Sequence, residues 1–202
     1  MKVVLLGQCK NATGTLSSAT EMITGGNRTG WIPSRVMSGN DINLNSVSNY
    51  SIIHDDPFPF YFKELYNEYG DNAKYILSYR DENEWFDSFK ADFYHAWNTS
   101  YRFKQTLYPI KELHESFRKD FIKIYLQLNK EIMNFFKKKD NNIFLSLKVE
   151  DFKNKSHKEN WCILFDFLEV EYNDKILSQP FLHTHKRNPS DTQYYKKLRD
   201  GE

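Results

Sequence analysis

Cysteine is scarce in this chain: Cys9 and Cys162 stand far apart, and there are no others. Such a pair gives neither a disulfide framework nor metal-ligand spacing, so no metal is expected. A reducing compartment fits best. Long apolar runs are lacking too, and nothing reaches the length that spans a bilayer. The opening run Val3-Val4-Leu5-Leu6 is too short for a secretory leader. The expectation is a cytoplasmic protein with no membrane partner. An excess of one charge is also missing, since 28 basic and 27 acidic residues leave a net charge of +1. That balance speaks against a broad nucleic-acid footprint and leaves room for a local anion site. With no internal repeat and no linker, residues 1–202 read as a single domain. Oligomeric state is not legible.

What is present is a globular composition. Hydrophobic residues make up 40% and aromatic residues 16% of the chain, enough for a core without staples. Short apolar runs at Val3–Leu6, Ser51–Ile53, Lys74–Tyr79 and Ile143–Leu147 predict strands. Between them, helical spacing predicts helices near Thr15–Ile23, Phe60–Tyr69, Glu82 to beyond Trp97, Lys111–Phe136 and Trp161–Leu168. Strands alternating with helices argue for an α/β fold with a parallel sheet covered on both faces. Thr24–Asn49, rich in Gly, Asn and Ser, reads as a long irregular segment of the kind that often carries function.

Two segments carry chemistry. In the first, Gly7-Gln8-Cys9-Lys10-Asn11-Ala12-Thr13-Gly14-Thr15-Leu16 joins a strand to a helix. A phosphate wants inward backbone amides, a cation and the positive end of a helix. Small residues let the chain approach the anion; Lys10 supplies charge, and Thr13 and Thr15 supply hydroxyls. No Gly-Lys-Ser/Thr occurs, so this is not the nucleotide-triphosphate loop. In the second, Arg80-Asp81 follows the third strand, Trp85 follows, and Ser88 falls in the early turns of the next helix. Arg80 at a strand's C-terminal end and a hydroxyl returning toward it make a phosphate clamp. The plainer readings are polar caps and a surface ion pair.

Together these segments resemble the sulfotransferases. The first is similar to their 5′-phosphosulfate loop, Gly-x-Pro-Lys-Ser-Gly-Thr-Thr-x-Leu, with Gly7, Lys10, Thr13 and Leu16 matching. Cys9, Ala12 and Gly14 depart from it, and Gly14 loses a hydroxyl. The second resembles Ala-Lys-x-Ile-Leu-x-x-Arg-Asp-x-x-x-Trp-x-x-Ser, the 3′-phosphate site. The match is best to a branch with Asp-x-Pro upstream and Arg-Asp-Pro-Glu-x-Trp here; Glu82 replaces that Pro. Phe144–Phe152, Trp161–Glu169 and Gln179-Pro180-Phe181 are similar to late packing motifs of the family.

The resemblance implies a three-layer P-loop sulfotransferase-like fold with a central, mainly parallel sheet. It also implies the donor 3′-phosphoadenosine 5′-phosphosulfate, the product adenosine 3′,5′-bisphosphate, and no metal requirement. The acceptor would be a hydroxyl or amine of a small molecule or glycan. Lys10, Asn11, Ala12, Thr13, Gly14 and Thr15 would hold the 5′ end of the donor, with Lys10 also catalytic. Arg80 and Ser88 would hold the 3′-phosphate, and the late basic residues Lys186 and Arg187 match a 3′-phosphate loop by position. A base must take the acceptor proton. The turn His54-Asp55-Asp56-Pro57 offers His54, whose ordinary pKa is about 6.5, and Asp56. Two other readings stay open: a P-loop nucleotide or small-molecule kinase, and a catalytically lapsed nucleotide-binding descendant.

Overall fold

The computed structural model describes residues 1–29, 37, 38, 41–97, 102–139 and 141–181. Strands β1 (Lys2–Leu5), β4 (Ile52–Ile53), β5 (Ala73–Tyr79) and β6 (Phe144–Lys148) form one sheet in the order β4-β1-β5-β6. Every pairing in it is parallel: Val3 lies opposite Ile52, Leu5 opposite Ile76 and Tyr79 opposite Lys148. The expected strands are therefore present, each within about one residue of its predicted ends. Two further short strands, β2 (Met37–Ser38) and β3 (Asp41–Ile42), pair antiparallel inside the segment expected to be irregular.

Alternation along the strands sorts side chains into two cores. Val3, Leu5, Ile52 and Ile76 pack with helices α1 (Thr13–Thr24) and α7 (His157–Leu168) on one face. Val4, Leu6, Ile53, Tyr75 and Leu77 pack with α2 (Phe62–Tyr69) and α5 (Arg118–Phe136) on the other. The result is three layers, helix–sheet–helix. A third cluster, built around Trp85, Phe89, Tyr108 and Phe121, reaches Cys9 in the N-terminal turn. It draws on α3 (Glu82–Phe93), the segment following α4 (Arg102–Leu107), and the start of α5. Among the described residues the remaining α-helices are α6 (Val149–Asn154) and α8 (Asp174–Leu177). Among the described residues no helix is long and apolar enough to cross a membrane.

Local signals set the helix ends. Asp81 caps α3, accepting from the amides of Asn83 and Glu84 at 3.0 Å. Ser156 and Glu159 form a capping box that starts α7 at His157, earlier than the apolar spacing predicts. Two helix expectations are corrected. The helix after β5 ends at Phe93 and continues only as a short 3₁₀ turn, Tyr94–Ala96. The long helix begins at Arg118, not Lys111, because Ile110 and Leu113 are buried in a segment that follows the core without helical period.

Candidate active site

In a parallel sheet all C-terminal strand ends share one edge. The turn after β1, His54 after β4, Arg80 after β5 and Val149 after β6 all leave the sheet there. From β1 the chain crosses to β4 on one side and then returns to β5 on the other. Such a switch point is where open α/β sheets bind ligands.

Gly7 opens the N-terminal turn with little room: a Cβ there would stand 2.1 Å from Ser78 Oγ and 2.8 Å from Ser78 O. Lys10 and Ala12 both take left-handed backbone, at φ 74° and 58°. Ala12 is the N-cap of α1 and offers no side-chain cap, so the helix's opening amides face the turn without one. This conformation is why a glycine would suit position 12 better. Ala12→Gly is expected to stabilise the protein by about 0.5–1 kcal/mol, the left-handed relief less the added chain entropy. Urea denaturation measures it; a less stable variant would contradict the conformation.

The turn is bolted from three sides. The indole N–H of Trp85 donates to Cys9 O at 3.1 Å, so the Trp of the Arg-Asp block is a clamp on the N-terminal turn as well as core. Asp56 accepts from the Cys9 amide at 3.3 Å, and Thr13 donates to Asp55 Oδ1 at 3.3 Å. Asp56 is itself enclosed by Lys104 at 2.6 Å, with both side chains at most 1% exposed. The Lys104 ammonium also lies 3.2 Å from Cys9 Sγ. Burial opposes the Lys104 charge, but the Asp56 carboxylate more than offsets this and holds it above the ordinary lysine value. Burial, reinforced by Asp56, pushes the Cys9 thiol well up, so it stays protonated and unreactive.

Lys10 forms an ion pair with Asp92 of α3, each side chain about a quarter exposed. Arg80 pairs with Glu84 and lies 3.9 Å from Glu150. Ser88 sits half-buried on α3, one turn beyond Glu84. His54 is buried, and its amide donates to Thr29 Oγ1. Asp55 is half-buried with φ 72°; burial first, and the Asp56 carboxylate second, push its carboxyl up to about 6. Lys186 and Arg187 lie outside the described residues.

Beside the first turn of α1 lies a cavity of about 140 Å³. Ala12, Thr15 and Leu16 line one wall and Val149, Phe152 and Phe181 another, with Lys155 and His157 also on it. Two buried polar atoms on its lining have no hydrogen-bond partner: Ser78 Oγ and Asn160 Oδ1. The Asn160 amide is held by its Nδ2, which donates to Phe152 O at 2.9 Å. In the neighbouring turn Asn11 Nδ2 is likewise buried without a partner. Buried polar groups of this kind need a hydrogen-bond partner, which a water or a bound ligand can supply.

Three residues of this site carry no signal in the motifs: Asp92, Lys104 and Asn160, which acquire their roles only through tertiary contacts. Asp55 was within reach, since it and not Asp56 stands two residues before Pro57 in the Asp-x-Pro spacing.

Comparison with known proteins bears on the same edge. The sulfotransferase domain family model matches residues 43–189, which takes in the Arg80–Ser88 block and begins after the N-terminal turn. Among solved structures, the sulfotransferase domain from the curacin biosynthetic pathway is 20% identical over 73% of this chain, with a TM-score of 0.45. The chain spans 48% of the length of that structure. No curated protein matches. With well over half of its residues matched by the family model, the chain belongs to the sulfotransferase domain family.

Proposed function

We propose that the protein transfers a sulfuryl group from 3′-phosphoadenosine 5′-phosphosulfate to a hydroxyl or amine of a small-molecule or glycan acceptor, in the cytoplasm. The observation that carries this reading is the cavity at the start of α1, where unmet buried polar atoms adjoin the anion loop. A nucleobase suits it: Phe152 and Phe181 give an apolar wall, and Asn160 Oδ1 accepts from an exocyclic amine. The helix start and Lys10 meet the 5′ end, and Arg80 with Ser88 the 3′-phosphate. Arg80 then exchanges a carboxylate partner for phosphate.

When bound, the donor supplies an activated sulfuryl group on a phosphate leaving group. The chain supplies the rest. Lys10 offsets the negative charge that develops on the leaving oxygen. Asp56, held in its buried pair with Lys104, braces the loop. The base falls to Asp55, which is less buried than His54 and has an affinity for protons near neutrality. No observation favours the kinase reading.

Asp55→Asn separates these roles through pH. A carboxyl raised to about 6 in the folded protein takes up a proton on folding between its ordinary pKa and 6. Folded stability therefore falls as pH rises through that window. Asn removes this loss and suits left-handed backbone. The variant is expected to be more stable than wild type above pH 6, to lose turnover by roughly 100-fold or more, and to lose the rise of kcat with pH near 6. Wild-type turnover in Asp55→Asn, with the same loss in His54→Gln, would move the base to His54. The function itself is tested by incubating the protein with the donor and a panel of hydroxyl and amine acceptors, reading sulfated product by mass spectrometry. Sulfated product supports the proposal; donor binding without transfer to any acceptor supports a lapsed descendant.

A further inference from the structure

We infer that Tyr125 is a positioning residue that fixes the anion loop and the Arg80 strand end relative to one another. The inference rests on the donor reading above. The sheet stops governing that spacing early: its last bond between the two segments runs from Leu6 N to Ile76 O at 2.7 Å. Beyond it Gly7 packs directly on Ser78, and the phenol of Tyr125, from a helix packed on the sheet, links the loop at Asn11 to Arg80 at the end of β5. Its oxygen accepts from Arg80 N at 2.9 Å. It also lies 3.1 Å from Arg80 O and 3.1 Å from Asn11 Oδ1. One hydroxyl proton serves two acceptors, so a single group is shared between both segments.

The ring is held independently of the hydroxyl. It stacks on Trp85 with centroids 4.2 Å apart and planes at 14°, and Trp85 in turn bonds Cys9 O. Tyr125 is fully buried, and burial pushes its phenol up to about 12, so it remains a donor at working pH. A second strut runs alongside. Gln8 Nε2 donates to Tyr125 O at 3.3 Å, and Tyr108 OH donates to Gln8 Oε1 at 2.8 Å. A ligand with two anionic groups a fixed distance apart gains from this rigidity; a ligand with one does not.

Tyr125→Phe keeps the stacked ring and removes the shared hydroxyl. Calorimetry with adenosine 3′,5′-bisphosphate and with adenosine 5′-monophosphate reads the role as a ratio. Affinity for the bisphosphate is expected to fall about tenfold, the worth of one hydrogen bond. Monophosphate affinity should change less than about threefold, so selectivity for the 3′-phosphate drops. A purely structural tyrosine would lower Tm and leave the ratio unchanged, and that result overturns the inference. Wild-type hydrogen exchange supplies a test that does not depend on the variant folding. Bisphosphate binding should slow exchange at Asn11, at Arg80 and around Tyr125 together, and the monophosphate should protect only the loop. Equal protection by both ligands would contradict the role of Tyr125. A wild type that binds neither ligand would instead sink the donor reading, and this role with it.

Discussion

Lys10→Ala is expected to lower turnover by on the order of 100- to 1000-fold, the loss typical of one preorganised group aimed at developing charge. The fold should survive, because Asp92 keeps about a quarter of its side chain exposed and water can solvate its carboxylate once Lys10 is gone. Nor does the substitution alter the left-handed backbone at position 10, which Ala strains as Lys does. The effect should therefore appear in kcat, with Tm nearly unchanged. Lys10→Arg should recover part of the loss, since a cation is restored in different geometry. Near-normal turnover in Lys10→Ala would remove the N-terminal turn from the chemistry and leave Arg80 and the cavity to be explained separately.

A second large effect is expected in stability. Lys104→Ala leaves the Asp56 carboxylate buried without its cation, and breaking such a pair typically costs about 3–5 kcal/mol. The damage should spread to the loop, because Asp56 also holds the Cys9 amide. The double variant Asp56→Asn with Lys104→Met removes both charges and keeps an acceptor for Cys9 N. It should recover most of the stability. Urea denaturation of the three proteins decides it. A Lys104→Ala variant within about 1 kcal/mol of wild type would show that the pair is not the brace described here.

The sheet was legible because its strands are short apolar runs ended by residues that cannot continue them, Gly7, the Asp55-Asp56-Pro57 turn and Arg80-Asp81. Parallel pairing followed from the helices between them. The start of α5 was not legible: the helix was expected from Lys111, and the burial of Ile110 and Leu113 in the Trp85 cluster holds that stretch outside it. Within the site, motif order pointed to Lys10, Arg80 and Ser88. It carried nothing about Lys104, whose partner Asp56 lies 48 residues away. Tyr125 was equally hidden, because a phenol on an amphipathic helix reads as core until its hydroxyl is seen between Asn11 and Arg80. The Asp92 partner of Lys10 likewise depends on how α3 docks beside the turn.

Calorimetric titration of the wild-type protein with adenosine 3′,5′-bisphosphate, and with adenosine 5′-monophosphate as control, tests the central claim most directly. An edge that joins the turn at Lys10, the cavity at Asn160 and the strand end at Arg80 predicts saturable binding of the bisphosphate without added metal. Charge-assisted contacts to the 3′-phosphate should make it roughly ten- to hundredfold tighter than the monophosphate. Equal affinity for the two, or none for the bisphosphate, would contradict the account.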